Sequence, residues 1–206
     1  MTVLNSVPTG LRTMTVLLAD EVDLPGPGLP GWVRDWAARA GVVTQVAPGA
    51  AREVAASRGC RTGRGAVLLL RGDASPPRRI VAAVQEHEAD QPVVAAAASA
   101  AEACRARLRI VHAVPRSFGE RSIGLAEAVE RGRQLVTSVG VAEGPGVRAD
   151  RDLVRAWPHE VLDETLDADL LVVGGLRPHG PDELGLTART AVVHAPCAVL
   201  VVPRAS

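Results

Sequence analysis

An open α/β fold, a parallel sheet with helices on both faces, is what this sequence predicts, and three observations predict it. Runs of β-branched residues and leucine alternate along the chain with Ala-rich segments of helical period. Most of these runs are apolar at every position, as strands covered on both faces are. The order is strand, helix, strand, helix, which calls for right-handed crossovers.

The elements follow in order. Residues 1–13 are polar, broken by Pro8 and Gly10, and are expected to be a disordered end. Strands are expected at 15–19, 42–47, 66–70, 80–84, 108–114, 147–154, 169–173 and 198–202. Helices are expected at 31–40, 50–58, 90–106, 123–139, 158–166 and 182–194. Pro158 suits a first helical turn, where its missing N–H is harmless. The strand at 147–154 differs from the others: Arg148, Asp150 and Asp152 alternate with Val147, Ala149, Arg151 and Leu153. That marks an edge strand with one wet face.

Composition bounds the function. With 47 % hydrophobic residues the chain is not disordered, and 206 residues suffice for one and a half domains or two small ones. The 23 basic residues, all arginine, balance 23 acidic ones, so the basic surplus of a nucleic-acid binder is missing. Aromatics are 2 % and tyrosine is absent, which leaves no stacking platform for single strands. No run approaches the roughly 20 apolar residues of a membrane span, and the run at 14–19 is too short for a signal segment. The expected location is the cytoplasm. Cys60, Cys104 and Cys197 form no CxxC pair and are odd in number, as unpaired, buried, inert thiols in a reducing compartment would be.

Ligands of open α/β sheets bind beyond the carboxyl ends of the strands, where strand order reverses. Asp20, Glu21 and Asp23 follow the first strand and suit a solvated loop better than a ribose or cation site. Gln85, Glu86, His87 and Glu88 follow the strand at 80–84; adjacent ligands rarely converge on a metal without a third from elsewhere, so surface charge is expected. Gly174 and Gly175 open a glycine-rich turn after the strand at 169–173. His159 and Asp163, with Asp167 continuing the face, resemble half of a zinc-protease helix, but the second zinc histidine is missing. His112 suits a satisfied strand histidine. His194 and Cys197 flank Pro196 without a third orienting group, so no thiol nucleophile is expected. Trp32, Trp36 and Trp157 suit anchoring roles, the first two, one turn apart, being the best candidates for an interface. No GxSxG, Walker lysine or triad spacing appears, and no enzyme is expected.

The residues Arg79-Ile80-Val81-Ala82-Ala83-Val84, Leu108-Arg109-Ile110-Val111-His112-Ala113-Val114, Ala168-Asp169-Leu170-Leu171-Val172-Val173-Gly174 and His194-Ala195-Pro196-Cys197-Ala198-Val199-Leu200-Val201-Val202-Pro203 are carried in that order. Together they resemble the universal stress protein family over residues 78–204. The resemblance implies an open five-stranded parallel sheet with helices on both faces, whose last strand often pairs with that of a second copy, and a scaffold that is not a set of efficient catalysts. Many members bind ATP through an Asp after the first strand and through GxxG, nine residues, then Gly followed by Ser or Thr. Here Gln85 stands in place of the Asp and Arg177 in place of the second glycine. Gly185 follows Gly174 by eleven residues rather than thirteen, and Leu186 replaces the hydroxyl residue. Leucine donates nothing to a phosphate at a helix N-terminus, so the nucleotide pocket is expected to be degenerate.

The first part of the chain more faintly resembles the same unit. Residues 14–20 resemble its first strand and Asp, 32–40 its first helix, 42–47 its second strand, and 49–60 with 66–73 its last helix and strand, Cys60 corresponding to Cys197. The expected organisation is a truncated repeat at 14–72, a linker at 73–78 and a complete domain at 79–204. Strand 66–70 is expected to pair with strand 198–202, an internal version of the family's dimer contact, or to serve self-association or a protein partner. The leading reading is a non-catalytic binding or interaction module without a required cofactor, a membrane or a nucleic acid. The alternative keeps ATP: Gln85, Gly174, Gly175, Arg177, Gly180, Gly185 and Thr187 form the site, with Arg177 supplying charge and Thr187 the hydroxyl one position late.

Overall fold

The computed structural model describes residues 11–18, 28–47, 65–72, 74–115, 123–139, 147–157, 160–162, 166–175 and 184–205. Its strands are β1 (Thr13–Leu18), β2 (Val43–Ala47), β3 (Ala66–Leu70), β4 (Arg79–Val84), β5 (Arg107–Val114), β6 (Ala149–Arg155), β7 (Leu170–Gly174) and β8 (Ala198–Val202). The helices described are α1 (Gly31–Ala40), α2 (Gln91–Cys104), α3 (Ile123–Ser138) and α4 (Leu186–His194).

All eight strands form one sheet in the order β2-β1-β3-β8-β7-β4-β5-β6. The five strands from β8 to β6 are parallel to one another, as the expected five-stranded unit requires. The sheet is larger than that unit because β1, β2 and β3 join it. β3 pairs antiparallel with β8, Val67 opposite Val201, Leu68 opposite Leu200 and Leu69 opposite Val199. Both strands are buried at every position, as their unbroken apolar runs demand. The expected contact between 66–70 and 198–202 is therefore made within one chain, and each strand has a partner on both sides. The outermost strands are β2 and β6, and β6 carries the charged alternation expected of an edge.

One face of the sheet packs under α1, α2 and α3, the other under α4 and a 3₁₀ turn, Glu160–Leu162. Alanines of α2 at 96, 97, 100 and 101 are buried, so the helix lies close to the sheet beneath α1. Trp36 fills the space between the two helices, its indole N–H donating to Ser99 Oγ at 3.1 Å, and the Trp32 indole donates to the Ala74 carbonyl at 3.1 Å. Both tryptophans are buried, so the candidate interface pair serves the interior of this chain. Gly41 ends α1 at φ 66°, a left-handed cap that glycine adopts without strain. Arg71, just past β3, donates to the carbonyls of Ala195 at 2.5 Å and of Val192, closing the last turn of α4 from the N-terminal part of the chain. At the amino ends of β4 and β7, Asp169 accepts from the Arg78 and Arg79 amides and the Arg79 guanidinium, whose hydrogen bond holds the carboxyl below its usual range.

Two expected helices are described only in part. Of 158–166 the described part is one 3₁₀ turn, and the Ala168 amide already bonds to the Leu166 carbonyl as the chain enters β7. Leu162 and Leu166 are buried against the sheet. The helix expected at 182–194 starts at Leu186, because Gly185 stands before it in an extended conformation (φ −58°, ψ 160°). The helix expected at 50–58 lies outside the described residues.

Candidate functional site: a cleft at the switch point of the sheet

β4 is followed in the sheet by β5 on one side and, later in the chain, by β7 on the other, so strand order reverses between β4 and β7. A cleft opens there at the carboxyl ends, as the topology requires. Its described walls are apolar: Ala83 and Val84 of β4, Val111 and Ala113 of β5, Val173 of β7 and Leu162. Its rim is Gln85, Asp90, Gly174, Thr187 and Arg204, and it encloses about 60 Å³, room for a few water molecules.

The centre of the rim is a buried ion pair. Asp90, 2 % exposed, precedes α2, and its Oδ2 accepts from the Gln85 amide at 2.6 Å and the Glu86 amide at 2.8 Å. Arg204, in the segment that leaves β8, donates from Nε to Oδ1 at 2.7 Å and from Nη2 to Oδ2 at 3.2 Å. Glu86 Oε1 lies 3.5 Å from the same Nη2. The Ala205 amide donates to the Ala89 carbonyl at 3.0 Å, tying the segment after β8 to the turn that holds Asp90. A two-point guanidinium–carboxylate contact is among the stronger polar contacts proteins make.

This arrangement changes what the glycines do. A Cβ on Gly174 would stand 2.8 Å from Arg204 Cγ and 2.9 Å from Asp90 Oδ1, so the missing side chain makes room for the ion pair. The Gly175 amide extends the β7–β8 ladder by donating to the Val202 carbonyl at 2.9 Å, and is therefore already engaged. Gly185 stands beside it, its amide 3.4 Å from the Gly175 carbonyl.

Among the candidate site residues, the structure brings Gln85, Gly174 and Thr187 to the cleft and Gly175 and Gly185 next to it. Arg177 and Gly180 lie outside the described residues. Leu186 is 74 % exposed and does not line the cleft, because the first residue of α4 points to solvent and the second, Thr187, points inward. Asp90 and Arg204 are the residues that sequence reasoning missed. Asp90 before Gln91-Pro92 has the form of an ordinary helix start, and Arg204 after Pro203 that of a trailing residue.

The other candidates are accounted for as follows. His112 Nδ1 sits 2.9 Å from the Val84 carbonyl, a satisfied strand histidine. His87 Nε2 meets the Ser138 carbonyl at 3.0 Å, Glu86 turns to Arg204, and Asp167 pairs with Arg79. No group of three metal-ligating side chains occurs among the described residues. Trp157 is 39 % exposed, its amide donating to Glu160 Oε2 at 3.0 Å. Asp20, Glu21, Asp23, Cys60, His159 and Asp163 lie outside the described residues.

Cys197 is buried and Cys104 half-buried, and burial pushes each thiol up to about 11. His194 is exposed while Cys197 is buried, so the two form no visible nucleophile and base. Alkylation of both thiols by iodoacetamide is therefore expected to be slow at pH 8 and to accelerate toward about pH 11, which a rate profile checks. A raised thiol pKa also means that their contribution to stability is present below 9.0 and is lost as pH rises through about 11.

The model of the universal stress protein family matches residues 76–203. This chain belongs to that family. Among solved structures, one assigned to the universal stress proteins, from Pseudomonas aeruginosa UCBPP-PA14, superposes with a TM-score of 0.54 at 16 % identity, covering 95 % of this chain and 94 % of that one. A functionally unknown protein of Pseudomonas aeruginosa PAO1 gives 0.54 at 15 % identity over the same shares. No curated protein matches. The likeness of this universal stress protein to both structures is one of fold, and it extends through the N-terminal strands. No helix among its described residues is long and apolar enough to cross a membrane.

Proposed function

We propose that this universal stress protein is a cytoplasmic, non-catalytic binding module whose cleft does not take ATP in the manner of the family's glycine loop. One observation carries the reading: Arg204 and Asp90 lie across Gly174, where a phosphate loop would need open backbone. Two features support it. The Gly175 amide is already bonded to β8, and among the described residues at the rim two carboxylates, Glu86 and Asp90, stand against one guanidinium, Arg204, a balance that disfavours a triphosphate. A protein partner or second copy meets the chain elsewhere than strands 66–70 and 198–202, whose ladders are filled on both sides.

Calorimetric titration with ATP and magnesium tests the reading. No saturable heat is expected up to about 1 mM. The second reading, a nucleotide site at the glycine loop, draws support from the gathering of Gly174 and Thr187 at one cleft with Gly185 beside it. Micromolar binding that Arg177→Ala abolishes decides for that reading, and release of product from ATP above a blank decides against a non-catalytic module.

A further inference from the structure

The two outer edges of the sheet differ in chemistry. β6 carries Asp150, Arg151, Asp152 and Arg155, whereas β2 is Val43-Thr44-Gln45-Val46-Ala47, without a charge or a proline. Charges and prolines are what natural edge strands use to refuse a further strand. β2 also carries two of the five large apolar side chains exposed among the described residues, Val43 at 68 % and Val46 at 48 %. β1 and β2 are parallel neighbours with α1 between them in the chain, as β4 and β5 are with α2. Yet β5 is covered on its outer side by β6, and no described strand covers β2.

The backbone sets what can be added there. The Val43 amide donates to the Arg12 carbonyl at 3.0 Å, so Val43, Gln45 and Ala47 turn their backbone groups to β1, and Thr44 and Val46 turn theirs outward. A second β2 laid antiparallel about a two-fold axis at Gln45 sets Thr44 opposite Val46 of the partner subunit, and Val46 opposite the partner's Thr44. Both are outward-turned positions, so each pair exchanges its backbone hydrogen bonds, about four in all. Val43 then stands beside Ala47 of the partner subunit and Gln45 beside the partner's Gln45, with no like charges opposed. β6 fails the same test. Centred on residue 150, 151 or 152 it opposes two aspartates, and centred on Leu153 it opposes Arg151 to Arg155.

We propose that β2 is the self-association surface of this chain, two copies joining antiparallel, edge to edge, about Gln45 so that their sheets run on as one. The inference deepens the reading that a second copy meets the chain away from β3 and β8, and it does not depend on what the cleft binds. A pair of five-residue strands is smaller than the interface of a permanent complex, so the dimer is expected to be half formed at about 10–500 µM chain.

Sedimentation equilibrium of the full chain, from about 5 µM to about 1 mM, reads the mass. A monomer–dimer equilibrium is expected. A mass that stays monomeric throughout overturns the proposal, and so does one that grows past the dimer, as β2 adding to β6 of the next copy would make it. Gln45 is exposed, so its replacement spares the core. Gln45→Lys opposes two like charges at the axis, and the dissociation constant is expected to rise about fivefold; Gln45→Glu should do the same. Mixed in equal amounts, the two variants oppose unlike charges and should associate within about twofold of the parent. Gln45→Arg and Gln45→Asp replace them if circular dichroism shows either unfolded. Dimers that neither charge weakens, or variants that mixing does not rescue, also overturn the proposal. Micromolar ATP binding removes the cleft reading alone, because the mass is read separately.

Discussion

Asp90→Ala is expected to lower the unfolding free energy by about 3 kcal/mol, the lower end of the range for breaking a buried ion pair by deleting one partner. The carboxylate is 2 % exposed and accepts four hydrogen bonds, two from the Gln85 and Glu86 amides and two from Arg204. Its removal leaves both amides without their acceptor and a guanidinium, 13 % exposed, with only Glu86 at 3.5 Å. The segment carrying Arg204 can swing toward water, which is why the loss falls at the low end of the range. For a chain of 206 residues, about 3 kcal/mol corresponds to a fall in Tm of about 6–12 °C. Arg204→Ala should cost less, about 1–2 kcal/mol, because Asp90 keeps its two amides. Glu86→Ala should stay within about 0.5 kcal/mol, since that carboxylate is exposed and its contact long. Thermal and urea unfolding of the three variants check the order. An Asp90→Ala variant within about 0.5 kcal/mol of the parent would show that the pair contributes no net stability.

The difference between these residues also explains what the sequence could and could not reveal. β3, β8 and α1 lie at the bounds that their sequence patterns predict, because the local signal and the tertiary demand coincide there. The joining of the two sheet halves was legible for the same reason: a run such as 66–70, apolar on both faces, must find neighbours on both edges and covers on both faces. Of the helix expected at 158–166 only residues 160–162 and 166 are described, and there Leu162 and Leu166 are buried against the sheet. At the site, topology alone pointed to Gln85 and Gly174, which follow the strands whose carboxyl ends fix where a cleft must open, whereas Thr187 came only from the family resemblance. Asp90 and Arg204 were not legible. They are 114 residues apart, and each satisfies a local rule so well that nothing in the chain marks it as half of a pair. Leu186, read as the replacement of a phosphate-binding hydroxyl, stands exposed at the first position of α4.

Three glycines that look alike in the sequence are expected to respond very differently to alanine, and Gly175→Ala most strongly, at about 3 kcal/mol. A Cβ there would stand 2.0 Å from Val201 Cγ1, with Leu184 Cδ2 at 3.4 Å. Val201 is 2 % exposed and lies in β8 between β7 and β3, opposite Val67, so it cannot yield without moving a strand that joins the two parts of the sheet. Gly174→Ala presses on the Arg204 stem at 2.8 Å and on Asp90; because the stem is flexible, about 1–2 kcal/mol is expected. Gly185→Ala meets its nearest neighbour at 3.9 Å and should cost under about 1 kcal/mol, the loss of a tolerable N-cap. Glycines kept for the approach of a phosphate would give another pattern, with little effect on the free protein at any of the three. Urea unfolding separates the two, and equal stability of the 175 and 185 variants would exclude the packing role. The same contact predicts its own rescue. Combining Gly175→Ala with Val201→Ala removes the methyl group that blocks the new side chain, so the double variant should be more stable than the two single losses added together.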